Sequence, residues 1–279
     1  MVNMIPQEVI DFILGQWGNF TECDVRFPPE IWQGLCDKAY RDLGASSAAN
    51  PHPFCIRLVG QSGSGKSSQL LPSVQSALDK YHYPFVIIAV RNFVPYHPHV
   101  EAIKQQYNQG IIREKTNAFA LILLTMVLIH CIEQQHSILL DMTLLAPKYE
   151  QMLHRYLQAH HYACDYQCMA IRKEVSDAWI AERCRETGRV VEKSSSGFFY
   201  NTLEPAFTSL QAFASMTNRV IIWDRAHPQP IITQLGDKQL WEKFTAARQV
   251  PAPFLNFDDA LASKKAFLHT FYSVLPSRK

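Results

Sequence analysis

A glycine-rich stretch at residues 60–68 carries the clearest chemical pattern in this chain. It reads GQSGSGKSS and matches G-x-x-x-x-G-K-[ST], the P-loop whose backbone N–H groups cradle phosphates. Glycine suits such a loop because it adopts positive φ angles and lets phosphate oxygens approach the backbone. A glycine turn before a helix is the alternative interpretation. The residues predicted to bind the phosphates of ATP or GTP are Gly60, Gln61, Ser62, Gly63, Ser64, Gly65, Lys66, Ser67 and Ser68.

The end of the P-loop predicts a metal site. Lys66 is expected to reach the β and γ phosphates, and Ser67 to ligate a Mg²⁺ ion that bridges them. The metal needs an acidic partner, and the apolar run SILLD at residues 137–141 ends in Asp141. Because parallel strands present their carboxyl ends to one crevice, Asp141 is predicted to project toward the phosphates. The alternative is an acidic residue that only opens a loop.

The elements that must position these residues follow from the hydrophobic pattern. Apolar runs predict buried strands at residues 54–59, 84–90, 137–141, 166–171 and 219–224. Helices are predicted between them at residues 67–81, 116–135, 147–160 and 176–187. Strands separated by helices of this length indicate an α/β, P-loop kinase-like fold, with a mainly parallel sheet and helices on both faces.

A helical segment precedes this core. Residues 4–43 predict two or three short helices with apolar faces, and the polar stretch GASSAANPHP at 44–53 predicts a linker. We therefore divide the chain into a helical N-terminal extension with its linker, 1–52, and a P-loop kinase-like domain, 53–279.

Composition narrows the class of partner and the compartment. The 27 Lys and Arg residues against 25 Asp and Glu residues leave a formal charge of +2, so no global field favours nucleic acid or an anionic membrane. The seven cysteines are an odd number without paired metal spacing and are expected to be reduced thiols. The N-terminus lacks a basic region, and the apolar stretch 118–132 is shorter than a membrane span. These features predict a soluble, cytoplasmic protein.

Three further segments carry a family resemblance. The run NFVPYHPHVEAIKQQY at 92–107 resembles the F-R-x-x-H-P-H-Y segment of the zeta toxin family, P-loop kinases of bacterial toxin–antitoxin systems, with Phe93 and His97 in register. LLDMTLL at 139–145 is similar to the family's E-G-T-x-R motif, and SDAWIAERCRETGRVVEK at 176–193 resembles its lid, S-x6-R followed by a second arginine. The resemblance covers residues 54 to about 225.

The resemblance implies a reaction and roles for single residues. The family transfers the γ-phosphate of ATP or GTP to a hydroxyl of a small metabolite, a UDP-activated amino sugar such as UDP-N-acetylglucosamine. Arg183 and Arg189 would clamp the γ-phosphate from the lid, and Thr143, with Phe93 and His97, would lie on the substrate side. Without the family, the alternative is a solvated basic face. We favour the lid, because phosphoryl transfer depends on positioning and charge neutralisation and needs such arginines.

Two departures from the family concern the catalytic base. Arg91 stands where the family has its catalytic aspartate, and Leu145 replaces the arginine after the family's threonine. An arginine cannot deprotonate a hydroxyl, because its pKa stays above about 12. Asp141 is the best substitute base, and His97 is either a second candidate or the holder of a structural hydrogen bond.

Other functions therefore remain open at this point. The leading hypothesis is a zeta-toxin-like kinase. The alternatives are a nucleotide-binding protein that no longer transfers phosphate, and a nucleotide or nucleoside kinase with the same core and lid. The resemblance implies an antitoxin protein as a possible partner. Residues 1–52 are either a permanent cap on the sheet or an inhibitor tethered in cis.

Overall fold

One six-stranded sheet organises the chain. The computed structural model describes residues 10, 11, 13, 15, 27–44, 50–80, 82–107, 109–187, 193–224 and 230–250. The strands in this part are β1 (Phe54–Val59), β2 (Val86–Ala89), β3 (Ile138–Asp141), β4 (Ala163–Met169), β5 (Thr217–Trp223) and β6 (Ile231–Thr233). The helices are α1 (Pro29–Asp42), α2 (Leu71–Lys80), α3 (Val100–Gln106), α4 (Gln109–Glu133), α5 (Pro147–Ala159), α6 (Lys173–Thr187), α7 (Lys193–Leu210) and α8 (Leu240–Gln249).

The strand order confirms the predicted α/β class. The sheet runs β2, β3, β1, β4, β5, β6, and its first five strands pair in parallel. The last strand, β6, pairs antiparallel with β5. Because β1, β2 and β3 are parallel neighbours, their carboxyl ends meet at one edge of the sheet. The P-loop follows β1 at this edge, and Asp141 ends β3 there, in register with Ala89 of β2.

Both faces of the sheet are covered, as predicted. Side chains of a strand point alternately to opposite faces, and β1 divides its residues between two apolar clusters. Cys55 and Val59 belong to the larger cluster, which includes α4, α5 and α7. Ile56 and Leu58 belong to the smaller cluster, with α2. A strand buried on both faces is the reason that β1 reads as an almost continuous apolar run.

The long helix α4 fills the centre of the larger cluster. It begins at Gln109 rather than at the predicted 116. Its segment Lys115–Glu133 is long and apolar enough, by length and composition alone, to cross a membrane. The sequence analysis had considered only residues 118–132 and had therefore underestimated the length of this apolar segment. Of this segment, 83% is buried inside the fold, which is the environment of a core helix in a folded domain.

Helix α1 lies on α4. Trp32 stacks on Phe119 with ring centroids 5.1 Å apart, and the Tyr40 hydroxyl is 2.7 Å from Nε2 of His136. Ile13, from the segment before α1, is fully buried in the same cluster. Phe12 and Trp17, from the predicted helical segment 4–43, lie outside the described residues.

Several elements differ from the sequence prediction. β4 begins at Ala163 rather than 166, and a π-helical turn at Lys66–Leu70 precedes α2. The sequence prediction missed α3, α7, β6 and α8. It missed α7 because the helix starts in a polar serine run and contains Pro205, both of which are loop signals. β6 has three residues, too few to show a period.

Candidate functional site

The P-loop has the backbone conformation that its glycines predict. Gly60, Gly63 and Gly65 have φ angles of 144°, 74° and 99°, which side chains rarely permit. A Cβ atom on Gly60 would lie 2.8 Å from both the Met169 carbonyl oxygen and Ser64 Oγ. The loop is thus closed against β4 without room for a side chain. Ser64 inside the loop is buried, whereas Ser67 and Ser68 at its end are exposed.

Lys66 is held over the loop that precedes it. Its ammonium donates hydrogen bonds to the carbonyl oxygen of Gly60 and to that of Gln61, the second at 3.0 Å. A flexible four-carbon stem carries this charge, so the ammonium can turn toward a phosphate without movement of the backbone. The position fits the predicted contact with the β and γ phosphates.

Asp141 joins the end of β3 to the P-loop. Its Oδ2 accepts a hydrogen bond from Ser67 Oγ at 2.7 Å, and its side chain is 2% exposed. A hydroxyl and a carboxylate oxygen are ligands that Mg²⁺ accepts, and this ion usually takes one or two protein ligands beside phosphate oxygens. The structure therefore brings together the two residues that the sequence proposed for the metal.

Arg91 adds a cation to the same carboxylate. It lies on a short 3-10 turn, Val90–Asn92, directly after β2. Its Nη1 donates to Asp141 Oδ2 at 2.6 Å, and its side chain is 45% exposed. One carboxylate oxygen thus serves both the P-loop serine and an arginine at the end of the neighbouring strand.

Thr143 is tied to the P-loop backbone. Its Oγ1 donates to the Gly60 carbonyl oxygen at 2.8 Å, and the residue is half-buried. Gly60 O accepts from Lys66 as well. The Thr143 hydroxyl therefore helps to fix the start of the P-loop, and its contact with the substrate stays a prediction.

Phe93 and His97 lie beneath the site rather than in it. Both are 1% exposed, and Phe93 belongs to the larger apolar cluster. Nδ1 of His97 accepts the backbone N–H of His99 at 3.1 Å, and the ring lies 4.6 Å from that of Phe119. Burial, with a smaller contribution from His99, lowers the pKa of His97 to about 4. This environment fits the structural role that the sequence left open for His97.

The helix α6 is seated on the P-loop at its first turns. Ser176 Oγ donates to the Ser62 carbonyl oxygen. A Cβ atom on Gly63 would lie 2.5 Å from the Ser176 carbonyl oxygen and 2.9 Å from Cγ1 of Ile180. Arg183 follows on the same helix and is half-buried, whereas Arg189 lies outside the described residues.

An ion pair that sequence reasoning missed supports the loop after β3. Arg57, on β1, binds Glu150, on α5, and both side chains are fully buried. Burial alone opposes the charge on Arg57, but the pairing with Glu150 outweighs it and raises the pKa of the guanidinium. Oε1 of Glu150 also accepts the backbone N–H of Leu145 at 2.7 Å. The pair thereby holds the segment that carries Asp141 and Thr143.

A second missed contact lies on the opposite side of the P-loop. Gln61 Nε2 donates to the Ile171 carbonyl oxygen at 2.7 Å, and Gln61 Oε1 lies 3.4 Å from Nη2 of Arg248. The Arg248 guanidinium lies 3.9 Å from the Tyr200 ring centroid and 4.8 Å from that of Phe244. No local pattern in the sequence signals such a contact, because its members come from the P-loop, the end of β4, α7 and α8, which are far apart in the chain.

Comparison with known proteins gives the family. The family model described as Zeta toxin matches residues 38–233 of this chain, which is more than half of it. The chain belongs to the zeta toxin family. The predicted resemblance is confirmed, and the match begins at residue 38, inside α1.

Solved structures share the fold of this zeta toxin family member. A chain from the PezAT chromosomal toxin–antitoxin system of Streptococcus pneumoniae is 16% identical with a TM-score of 0.64, covering 88% of this chain and 97% of that one. A chain of the native AvrRxo1-ORF1:-ORF2 complex is 14% identical with a TM-score of 0.56, covering 97% and 91%. Among curated proteins, none matches this sequence. At these identities the likeness establishes the P-loop kinase-like fold.

Proposed function

We propose that this chain is a kinase that transfers the γ-phosphate of ATP or GTP to a hydroxyl of a small metabolite. The observation that carries the proposal is the 2.7 Å hydrogen bond between Ser67 of the P-loop and Asp141 at the end of β3. It joins a phosphate cradle to a carboxylate at the position from which a metal bridging the phosphates can be held. By analogy with the family, the acceptor is a UDP-activated amino sugar such as UDP-N-acetylglucosamine.

The residues of the site divide the work of transfer. The P-loop N–H groups and Lys66 bind and orient the phosphates, and Ser67 with Asp141 would hold Mg²⁺. The bound ion supplies positive charge that offsets the charge developing on the transferred group. Phosphoryl transfer depends mainly on positioning and charge stabilisation, so the demand on a general base is modest. Asp141 is our choice for that base, because its carboxylate lies directly beside the P-loop serine.

The predicted lid, which includes α6, would add positive charge around the γ-phosphate. Ser176 and the close contact at Gly63 fix the first turns of α6 on the P-loop. Arg183 lies further along that helix, and we assign it, with Arg189, to the clamp on the γ-phosphate. The seating of α6 supports this assignment, because it fixes the helix that carries Arg183 beside the P-loop.

A second function is favoured by one contact. Arg91 pairs with Asp141 at 2.6 Å and occupies the place of the family's catalytic aspartate. The carboxylate that the kinase proposal uses as its base is already engaged in an ion pair. The second candidate is therefore a nucleotide-binding toxin relative that acts through its bound nucleotide or a protein partner, without transfer.

Product detection separates the two functions. The full chain is incubated with ATP, Mg²⁺ and a cell metabolite extract, and products are followed by the mass shift of an added phosphate group. We expect a phosphorylated product that is absent with the Lys66→Ala variant. Nucleotide binding without any product would overturn the kinase proposal and support the second candidate.

An antitoxin is the partner that the relatives suggest. The two similar structures come from a system described as toxin–antitoxin and from a two-protein complex. We propose that this chain likewise binds an antitoxin protein. Co-purification with the product of a neighbouring reading frame, and relief of growth arrest by that product, would test the proposal.

The contacts of α1 favour a permanent cap over an inhibitor in cis. Trp32 packs against α4 inside the larger cluster, and the partly buried Tyr40 packs against that cluster and contacts His136 in the turn after α4. Trp32→Ala in the full chain tests this. A cap predicts lost stability with unchanged nucleotide affinity of the folded fraction, whereas an inhibitor predicts tighter nucleotide binding or new toxicity. The domain boundary between residues 52 and 53 stays a prediction.

A further inference from the structure

One carboxylate oxygen of Asp141 has two donors at close range. Its Oδ2 accepts a hydrogen bond from Ser67 Oγ at 2.7 Å and another from Nη1 of Arg91 at 2.6 Å. A carboxylate has about four lone-pair sites on its two oxygens, so each oxygen has about two. The serine and the arginine together therefore use the acceptor capacity of Oδ2.

The proposed metal site needs the same oxygen. Mg²⁺ takes ligands at about 2.0–2.1 Å in near-ideal octahedral geometry and usually keeps several waters. An ion that bridges the phosphates beside Ser67 would meet Asp141 either directly or through one of these waters. Both arrangements need a lone pair on the oxygen that contacts Ser67, which is Oδ2. Nη1 of Arg91 uses the lone pair that the ion or its water would need.

The two members of this ion pair differ in how freely they can move. The Asp141 side chain is 2% exposed at the end of β3, whereas the Arg91 side chain is 45% exposed. A carboxylate that is held away from water needs a cation beside it. Arg91 lies on the turn Val90–Asn92, and the buried Phe93 that follows holds the backbone there. The arginine side chain can therefore turn into solvent when another cation replaces it, without movement of the strands.

The position of the guanidinium also suits a substitute for the ion. Ser67 and Arg91 bind one oxygen atom, so the guanidinium lies within two hydrogen-bond lengths of the P-loop serine. Ser67 marks the place of the metal beside the β and γ phosphates. A fixed positive charge at this distance attracts the triphosphate in the same sense as the ion does.

We infer that Arg91 and a divalent cation exclude each other at Oδ2 of Asp141, and that Arg91 thereby sets how strongly nucleotide binding depends on Mg²⁺. This inference rests on the metal site of the proposed function. It goes beyond that function by assigning Arg91 a role in metal dependence, and it does not require phosphate transfer. The competing role for Arg91 is a structural ion pair that stays closed whether or not Mg²⁺ is bound.

A thermodynamic cycle over the metal and the arginine tests the inference. Calorimetry measures the affinity of the full chain for a non-hydrolysable ATP analogue, once with saturating Mg²⁺ and once with EDTA. The quantity compared is the dissociation constant in EDTA divided by that in Mg²⁺. The variant is Arg91→Met, which has an unbranched side chain without a donor, and Arg91→Gln is its second, polar version. Arg155→Met removes an equal charge from an exposed position on α5 and serves as the matched control.

We expect this ratio to rise by about tenfold or more in Arg91→Met, because binding in EDTA loses a cation while Mg²⁺ no longer competes for Oδ2. Arg155→Met should keep the ratio of the wild type. In an Asp141→Asn background, Arg91→Met should change the ratio much less, because the charged oxygen that both cations use is gone. An unchanged ratio in Arg91→Met contradicts the inference and identifies a structural pair. A lowered ratio also contradicts it, because Arg91 would then act together with the metal.

Manganese provides a direct measurement of the metal. Mn²⁺ takes the place of Mg²⁺ in the complex with the ATP analogue, and the electron paramagnetic resonance signal of free Mn²⁺ gives its dissociation constant. We expect Arg91→Met to bind Mn²⁺ about tenfold more tightly than the wild type and Arg155→Met to match the wild type. Equal Mn²⁺ affinity in Arg91→Met and the wild type would contradict the inference.

The cycle does not use transfer, so failure of this inference can be told from failure of the proposed function. If the ratio rises as expected but the metabolite extract gives no phosphorylated product, the kinase function fails and the inference stands. If product forms but the ratio is unchanged, the inference fails and the kinase function stands. If the wild type binds the analogue neither in Mg²⁺ nor in EDTA, the phosphate site itself is wrong, and both fail.

Discussion

The two sides of the phosphate site differ in how closely they follow the family. On the P-loop side, Gly60, Gly63 and Gly65 have the positive φ angles that the motif requires, and Ser67 meets Asp141. On the acceptor side, Arg91 and Leu145 replace residues that the family uses. The nucleotide half of a kinase site must fit an invariant ligand, the triphosphate, whereas the acceptor half must fit whatever molecule is phosphorylated. The departures from the family therefore lie in the acceptor half, whereas the nucleotide half keeps the residues that the P-loop motif requires.

Lys66→Ala, on the P-loop side, is expected to have the largest effect on transfer, because it removes the cation predicted to lie at the β and γ phosphates. We expect transfer to be abolished, because about 3 kcal/mol or more of transition-state stabilisation is lost. Calorimetry with ATP and Mg²⁺ measures the loss of affinity, and Lys148→Ala, at an exposed position on α5, is the matched control. Unchanged affinity in a folded Lys66→Ala variant would mean that residues 60–68 form a turn and not a phosphate cradle.

Asp141→Asn tests the residue that both sides share. The amide keeps the shape, but it neither accepts a proton nor neutralises Mg²⁺, so turnover should fall by about a hundredfold or more. Nucleotide affinity should fall much less, and comparison of steady-state turnover with calorimetric affinity measures the difference. If turnover survives Asp141→Asn and is lost in His97→Ala, the base is His97 and our assignment is wrong.

Gly63→Ala tests how firmly the P-loop side is fixed to α6. Alanine would be strained at a φ of 74°, and its Cβ would lie 2.5 Å from the Ser176 carbonyl oxygen. We expect a loss of about 3 kcal/mol in the free energy of unfolding, measured by urea denaturation. Gly44→Ala is the control, because Gly44 has a φ of 62° but open space around it, and it should cost about 1 kcal/mol. Equal losses in the two variants would show that contact with α6 contributes nothing.

The smallest expected effect concerns the support beneath the acceptor side. His97 is neutral in the fold because burial lowers its pKa to about 4, below the value of about 6.5 in an unfolded chain. The unfolded state binds the extra proton, so this contribution to stability is present above pH 6.5 and is lost as the pH falls toward 4. Between pH 6.5 and 5.5, the free energy of unfolding should therefore fall by about 1 kcal/mol less in His97→Gln than in the wild type.

The buried His154, whose pKa burial also lowers to about 4, should keep part of the acid sensitivity in that variant. His52→Gln changes an exposed histidine and serves as the control. Unfolding curves collected across this pH range give the slope of the free energy of unfolding against pH for each variant. A His97→Gln variant with the slope of the wild type would show that His97 is not the group that responds.

The sequence by itself determined the parts of this protein whose cause is local. The P-loop, the five parallel strands and the class of the fold follow from glycine spacing and from apolar runs, because backbone conformation and burial are set by residue types near one another in the chain. The residue order also predicted that Asp141 would face the loop, since parallel strands end at a common edge.

Only the tertiary structure decided which side chains meet across the chain. Arg91 and Asp141 are separated by 50 residues and Arg57 and Glu150 by 93, yet each pair is in contact. It also decided that Phe93 and His97 lie in the core beneath the site, since a motif fixes residue types but not their depth. Such contacts depend on sheet order and helix packing, and no local pattern encodes these distances. The acceptor side is built from contacts of this kind, which is why the sequence described the nucleotide side so much more completely.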